Sequence, residues 1–213
     1  SLTTIMDISA ASSLYEFSFT SLFYTNLFYL AILFPVLTMR SFSEERKNGT
    51  EVLLLSSPIS VTKIVLAKFL ATATIFLIML AVSLFYPIVT ALNGHVILAN
   101  LICTYVGFYL FGLVCIALGI LISSFTESII LSIIMSEAAI IILLLMDNIG
   151  TYSFFSNLPI LSDLLHWLSN QQKFITFSNG YMQVSDLFAY CTEIAVFLIL
   201  TVISVEKRRW SRR

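Results

Sequence analysis

The sequence predicts an all-α integral membrane protein, a polytopic bundle of transmembrane helices, and three observations support this fold class. Hydrophobic residues occupy 59% of the 213 positions and charged residues only 11%, whereas soluble domains contain about 25% charged residues. The apolar residues are grouped in runs of roughly 20, the length that a helix needs to cross a bilayer. The Lys and Arg residues are concentrated in two short segments, which is typical of the cytoplasmic loops of membrane proteins.

Five apolar runs are long enough to be membrane spans. They cover approximately residues 19–39, 64–89, 101–123, 128–146 and 187–205. The charged elbow at 41–60 and the longer segment at 147–186 are the main connections between them. No internal repeat or low-complexity segment indicates a second domain, so we expect residues 1–213 to form one unit.

The distribution of basic residues predicts the orientation of the spans. All but one of the eleven Lys and Arg residues belong to two groups, which are Arg40, Arg46, Lys47, Lys63 and Lys68, and Lys207, Arg208, Arg209, Arg212 and Arg213. Because such residues remain in the cytoplasm, the elbow and the tail are predicted to be cytoplasmic. Segment 147–186, with Lys173, is then external. Residues 1–18 have no Lys or Arg and are predicted to be external, so we expect a sixth, N-terminal span upstream in the native chain.

The elbow is predicted to contain two short helices separated by a kink. Residues 42–47 favour a helix lying on the membrane surface, and Asn48-Gly49 ends it because Gly adopts positive φ without steric cost. Thr50 then caps a second helix with Glu51 in its first turn, and Ser57-Pro58 terminates that helix. The elbow is either a handle that a soluble partner grips, or a solvated connector whose charges only maintain the topology.

The ends of three spans carry predicted capping residues. Ser60 is predicted to cap the second span, Glu127 the fourth and Asp186 the fifth. Oxygen-bearing side chains at these positions accept hydrogen bonds from the free N–H groups of the first helical turn.

The elbow resembles the signature of the ABC type 2 (exporter-type) permease family. The matching residues are Thr38-Met39-Arg40, Glu44-Glu45-Arg46-Lys47, Gly49-Thr50-Glu51, Leu53-Leu54-Leu55, Ser57-Pro58-Ile59-Ser60 and Ala67-Lys68-Phe69. The resemblance extends from Phe19 to Trp210, and the ending Glu206-Lys207-Arg208-Arg209-Trp210 is similar to that of the gliding-motility-associated permease branch. Permeases of this family usually have six spans, so the present sequence departs from the family by lacking the first.

The resemblance implies a single transmembrane permease domain at 1–213 in the bacterial inner (cytoplasmic) membrane. The elbow would be the coupling helix, which docks into a separate ABC ATPase subunit. The residues assigned to ATPase coupling are Glu44, Glu45, Arg46, Lys47, Gly49, Thr50, Glu51, Ser57 and Pro58. Two ATPase copies and a second permease chain, identical or different, would complete the transporter, with an external accessory protein as a further partner and no nucleic acid.

The sequence contains no G-x-x-x-x-G-K-[ST] phosphate-binding motif. We therefore expect ATP and Mg²⁺ to be bound by the partner ATPase, with no cofactor on this chain, which is then not an enzyme.

The external segment, 147–186, is too long for a simple turn and is predicted to contain two short helices. Leu164 and Trp167 lie on the first, and Phe174 and Phe177 share one side of the second. As paired re-entrant helices, which the resemblance implies, these four residues would form an outer gate. The alternative is an amphipathic lid that rests at the membrane interface.

Polar and small residues within the spans are the remaining candidates. Glu137 and Glu193 each cost about 2.5–3.5 kcal/mol to place in a bilayer, which makes them functional candidates by default. Either could line a substrate path or relay a proton, or could be a protonated group that hydrogen-bonds neighbouring helices. Gly112, Gly119 and Ser123 place small residues on one face of the third span, for packing or as a dimer seam.

These features leave three candidate functions. The first is the membrane half of an ATP-driven exporter, and the second is a mechanotransmitter that relays ATPase motion to an external partner without moving solute. The third, an intramembrane enzyme, ranks last because neither H-E-x-x-H nor G-x-S-x-G occurs. Three cysteines lie in apolar runs and two histidines lie far apart, so neither a disulfide nor a metal site is expected.

Overall fold

The computed structural model describes residues 32–39, 41–51, 53, 57, 59–85, 87–88, 98–150, 170–178 and 182–211. Its named helices are α1 (Ser43–Lys47), α2 (Val61–Ser83), α3 (Leu98–Phe125), α4 (Ile129–Gly150), α5 (Asn170–Ser178) and α6 (Val184–Ser211). Residues 32–38 are helical as well. By length and apolar composition, α2, α3, α4 and α6 are candidate membrane spans. The described chain is therefore an all-helical, multi-pass membrane protein.

Four of the predicted spans correspond to these four helices. α3, α4 and α6 each extend beyond the predicted span at one or both ends. The apolar run marks only the part that crosses the hydrocarbon, whereas a helix continues into the polar region of the membrane. Of the first predicted span, 19–39, the structure describes residues 32–39, and residues 19–31 lie outside the described part.

The continuous helix α2 ends at Ser83, and beyond a turn at Leu84 residues 85 and 87–88 are helical again, within the predicted limit at residue 89. Pro87 explains the interruption, because a proline ring collides with the carbonyl group four residues before it, here that of Ser83. The amide of Leu84 turns back to the carbonyl of Ala81 at 3.2 Å, which tightens the last turn.

Of the three predicted N-cap residues, only Ser60 occupies an N-cap position. Ser60 is the N-cap residue of α2, but its side chain makes no capping hydrogen bond. α4 begins at Ile129 and the carbonyl of Ser128 accepts its first hydrogen bond, so Glu127 lies one residue before the cap. α6 begins at Val184, which places Asp186 inside the first turn. Its carboxylate is there close to the positive end of the helix dipole, which favours an acid without a cap geometry.

The helix α3 is the centre of the bundle. Its most apolar 18-residue window is 67% buried, against 33% for α2 and 28% each for α4 and α6. A Cβ atom on Gly112 would meet the ring of Phe76 at 2.2 Å, and one on Gly119 would meet the hydroxyl of Thr38 at 2.2 Å. The two glycines therefore bring α2 and residues 32–38 against α3. The packing interpretation of this small-residue face is confirmed, because other helices of the same chain already cover it.

The elbow helix α1, the start of α2 and the carboxyl-terminal ends of α3 and α6 meet at one end of the bundle, which we call the basic end. The short helix α5 packs farther from the basic end, against the first half of α3. The rings of Phe108 and Phe174 lie 6.2 Å apart, centre to centre. Phe177 contacts Gly107, where an added Cβ would lie 2.7 Å from the Phe177 Cβ. Both phenylalanines of α5 are completely buried.

Candidate functional site

The elbow begins with a single short helix that ends at a kink. α1 spans Ser43–Lys47, Asn48 is its C-cap, and Gly49 has a φ of 72°. The predicted break at Asn48-Gly49 is confirmed, because this left-handed conformation suits glycine. Thr50 is predicted to cap a following helix, and residues 51 and 53 are indeed helical. The hydrogen bond described for the Thr50 hydroxyl points backward, donating to the carbonyl of Glu45 at 3.2 Å.

The start of α1 is attached to α3 through Ser123. The hydroxyl oxygen of Ser123 accepts hydrogen bonds from the amides of Phe42 and Ser43, both at 3.1 Å. The same hydroxyl donates to the carbonyl of Met39 at 3.2 Å. The side chain of Ser43 contacts Ser123 at 3.0 Å and Thr126 at 3.2 Å. The amide groups at the start of α1 thus find their hydrogen-bond acceptor in a serine 80 positions later. Phe42, the N-cap residue, makes no side-chain capping hydrogen bond itself.

The side chain of Arg46 points into the protein. Its guanidinium donates to the carbonyl of Thr126 at 2.6 Å and to that of Ser124 at 2.7 Å. It also forms an ion pair with Glu51 at 3.3 Å, and the side chains of Arg46 and Glu51 are only 4% and 3% exposed. The carbonyl groups at the end of a helix carry partial negative charge, so a guanidinium is well placed there. Arg46 consequently ties both sides of the kink to the end of α3.

A second ion pair attaches α1 to α2. The ammonium of Lys68 lies 2.6 Å from a carboxylate oxygen of Glu45 and also donates to the carbonyl of Ser41. It stands 4.6 Å from the centre of the Phe42 ring, within cation–π range. Lys68, which belonged to the motif read from the sequence, is therefore a link between α2 and the elbow.

The end of α6 completes the basic end. Arg208 donates to the carbonyl of Phe125 at 3.1 Å. Arg209 donates to the carbonyl of Ser57 at 3.3 Å and to that of Ile59 at 3.5 Å. These contacts join the tail to α3 and to the elbow. The sequence contains no signal for the partners of these two arginines, because backbone carbonyls have no sequence signature.

The outward side of the elbow is a small exposed surface, which we call the tip. It consists of Lys47, Asn48, Gly49, Thr50 and Leu53, all exposed. Leu53 is 74% exposed, so the tip presents an apolar side chain beside its polar ones. Gly49 has no atom within 4 Å of the position that a Cβ would occupy, so the space above it is open.

The nine residues predicted to couple to an ATPase thus differ in where their side chains lie. Lys47, Gly49 and Thr50 lie in the tip. Glu44 and Ser57 are half-buried, and Glu45 pairs with Lys68. Arg46 and Glu51 are turned inward, and Pro58 lies outside the described residues. The charged run Glu44–Lys47 is therefore only partly a docking surface, because two of its four side chains fasten the elbow to long helices.

Away from the elbow, Glu193 of α6 pairs with two residues of α5. Its carboxylate lies 2.5 Å from the ammonium of Lys173 and accepts a hydrogen bond from the side-chain amide of Asn170 at 3.0 Å. Lys173 and Glu193 are 8% and 1% exposed. Lys173 was predicted to lie in an external segment and was not connected with Glu193. Twenty positions separate the two residues, and helix periodicity within one span cannot reveal a partner on another helix.

The other candidate positions are more dispersed. Glu137 is half-buried near the middle of α4 and is not brought to Glu193. Phe174 and Phe177 are buried on α5 beside the Glu193 cluster, whereas Leu164 and Trp167 lie outside the described residues. Among the residues that the structure describes, no group of three His, Cys, Asp or Glu side chains is arranged to hold a metal ion.

An apolar groove of about 390 Å³ lies between α2 and α6, lined in part by Val65 and Leu198.

Comparison with known proteins places this site in context. A family model described as "ABC-2 family transporter protein" matches residues 4–207, which is nearly the whole chain. The match includes the elbow, the four long helices up to residue 207, and α5. No curated protein matches the sequence significantly.

Proposed function

The chain belongs to the ABC-2 family of transporter proteins, and we propose that it is the permease subunit of an ATP-driven exporter, with residues 41–60 as the coupling helix segment. Permeases of this family generally pair with an ABC ATPase. The present chain is the membrane component, and ATP hydrolysis belongs to that partner. In this proposal the basic end faces the cytoplasm, because Lys and Arg residues are retained there.

The observation on which this proposal depends is the two-sided construction of the elbow. Its tip is exposed, while its inner side is hydrogen-bonded or ion-paired to α2, α3 and α6 through Glu45, Arg46 and Ser57. A solvated connector requires no such attachments. A surface that receives force from a partner requires them, because motion of the tip must reach the long helices without being absorbed by a flexible loop. We therefore favour the handle over the connector.

The chemistry of the tip suits a cleft in a soluble protein. Lys47 offers a cation, Thr50 a hydroxyl, and Leu53 an exposed apolar side chain. Interfaces place apolar side chains at their centre and charges at their rim. We propose that Leu53 enters the ATPase cleft and that Lys47 contacts its edge.

The assembly follows from the same premise. We propose two copies of the ATPase and a second permease chain in the inner (cytoplasmic) membrane of a bacterium. The face of α3 with Gly112 and Gly119 is covered within the chain, so the contact between permeases uses other helices. The elbow motif and the ending at 206–210 support an assignment to the gliding-motility-associated branch.

The decisive experiment tests the tip directly. The permease is co-expressed with its partner ABC ATPase and purified through a tag on the permease. A double variant, Lys47→Glu with Leu53→Asp, should reduce the co-purified ATPase at least tenfold, which corresponds to about 1.4 kcal/mol. The matched control, Lys207→Glu, reverses an exposed charge on α6 at the same end of the bundle and should retain the ATPase.

The outcome separates the possible roles. ATPase that co-purifies equally with the tip variant would contradict the proposal. Reconstitution of the intact complex into vesicles then separates an exporter from a mechanotransmitter. ATP-dependent movement of a solute supports export, whereas ATP hydrolysis that only changes the external surface supports relay of motion.

A further inference from the structure

The ion pair between Lys173 and Glu193 lies deep in the bundle rather than at its surface. Glu193 is nine residues after the first residue of α6, Val184, which is about 14 Å along a helix. Phe177 of α5 contacts Gly107, which is likewise nine residues after the first residue of α3. Two independent contacts therefore place α5 well inside the bundle, at the half opposite the basic end.

The pair is surrounded by groups that complete its hydrogen bonds. The side-chain amide of Asn170 donates to Glu193 at 3.0 Å, and the side-chain oxygen of the same residue lies 3.4 Å from the Lys173 ammonium. The ring of Tyr190 is 5.3 Å from that ammonium, and the Tyr190 hydroxyl donates to the backbone carbonyl of Asn170 at 3.4 Å. The four side chains Asn170, Lys173, Tyr190 and Glu193 belong to α5 and α6, so these contacts join the two helices.

Such a pair has two distinct states and little in between. Separating the charges within the bundle would leave each without its partner in surroundings that solvate it poorly, which is strongly unfavourable. If α5 moves out far enough for water to enter, both charges are hydrated and that cost falls. An apolar pair of similar size would hold α5 at least as firmly, but it would not favour a hydrated open state.

The same helix that carries Glu193 also grips the basic end. Arg208 and Arg209 of α6 bind carbonyl groups of α3 and of the elbow, and Ser204 contacts Ser124 at 3.1 Å. Arg208 is fifteen residues from Glu193, about 22 Å along the helix. α6 contains neither Pro nor Gly, the residues that most often kink a helix. It can therefore transmit a displacement along its length.

We propose that α6 relays motion of the elbow to α5, and that the Lys173–Glu193 pair is a latch whose opening admits water between α5 and α6. This inference rests on the proposed coupling function for its driving force. Lys173, Asn170 and Glu193 are positioning residues in this mechanism, because they hold α5 against α6 and so exclude water from between the two helices. Phe174 and Phe177 are the side chains that leave the bundle when the latch opens.

The latch itself is tested by thiol accessibility without the ATPase. Phe174→Cys is introduced into a chain whose Cys103, Cys115 and Cys191 are replaced by alanine, and membranes are treated with a membrane-impermeant maleimide. Phe174 is completely buried, so its cysteine should react slowly. Lys173→Met or Glu193→Gln should accelerate labelling at least tenfold. The exchanged pair, Lys173→Glu with Glu193→Lys, should restore protection.

A second cysteine distinguishes a local latch from general stability. Val114 of α3 is also completely buried, and Val114→Cys should remain protected in every variant. Slow labelling of Phe174→Cys in both single variants would overturn the latch. Labelling of Val114→Cys in parallel with Phe174→Cys would also overturn it, because the pair would then support the whole bundle rather than one helix.

The relay is tested with the ATPase present. Trapping the complex with ATP and vanadate should accelerate labelling of Phe174→Cys in the otherwise unaltered pair. Arg208→Ala with Arg209→Ala should abolish that acceleration while the ATPase still co-purifies and hydrolyses ATP, and Lys207→Ala should retain it. Acceleration that persists without the two arginines would overturn the relay. Absence of ATPase binding in all forms would instead contradict the proposed function and leave the latch to the first experiment.

Discussion

Arg46 and Glu51 form a buried ion pair across the kink of the elbow, with 3.3 Å between Nη2 and Oε1. Gly49 lies between them with its positive φ, so the pair closes the turn that the glycine opens. Because Arg46 also binds the last carbonyl groups of α3, the two sides of the kink and the end of α3 form one body. The charged run Glu44–Lys47 therefore stabilises the elbow as well as contributing to its surface.

Arg46→Ala should destabilise the protein strongly. It removes the partner of a carboxylate that is 3% exposed, and breaking a buried pair in this way costs about 3–5 kcal/mol. At about 2–4 °C per kcal/mol, the thermal midpoint in detergent should fall by roughly 10 °C. Arg46→Met with Glu51→Leu should recover part of the loss, because no charge is then stranded. A midpoint for Arg46→Ala equal to that of the parent would contradict the buried pair.

Ser123→Ala should cost about 1–3 kcal/mol, because the amides of Phe42 and Ser43 would lose their acceptor. Ser136→Ala is a matched control. Ser136 is equally buried, but its hydroxyl donates to carbonyls of its own helix, those of Ser132 and Ile133, so its removal strands no amide. Midpoints of the two variants in detergent should differ by several degrees. Equal midpoints would show that Ser123 does not attach the elbow to α3.

The comparison of sequence with structure shows which inferences local patterns support. Apolar runs located the four long helices, and Asn48-Gly49 located the kink, because helix length and glycine φ are local properties. The partners of Arg46 and Glu193 were not predictable in the same way. Arg46 binds backbone carbonyls about 80 positions away, which have no side-chain signature.

The case of Lys173 shows a different limit of sequence reasoning. The positive-inside rule predicts one side of the membrane for this lysine and the other side for the remaining basic residues, but the rule concerns loops and assigns a side, not a depth. The residue lies on a short helix that packs against the first half of α3, where the carboxylate of Glu193 on another helix pairs with its charge. The exposed or buried state of Lys173 depends on that tertiary contact.

Gly49→Ala should destabilise the elbow through backbone conformation alone. No atom lies within 4 Å of the added Cβ, so no steric contact is created, and the cost is that of a left-handed alanine, about 1–2 kcal/mol. Gly49→Asn should cost less, since asparagine adopts this conformation more readily. The measurement is the rate of proteolysis within the elbow, which should rise for Gly49→Ala and rise less for Gly49→Asn. Equal rates for all three forms would contradict the positive φ.

Gly119→Ala should separate residues 32–38 from α3. The new methyl group would lie 2.2 Å from the Thr38 hydroxyl and 2.9 Å from its Cβ. Thr38 is held by donating to the carbonyl of Phe34 at 2.9 Å, so it cannot simply rotate away, and overpacking of this kind costs about 1–3 kcal/mol. Thr38→Ala should partly rescue Gly119→Ala, because it removes the nearest atom but leaves the Cβ. Ala138→Val, which adds volume at an exposed position of α4, is the control and should leave the thermal midpoint unchanged. If Gly119→Ala is as stable as this control, close contact between the first helical segment and α3 is wrong.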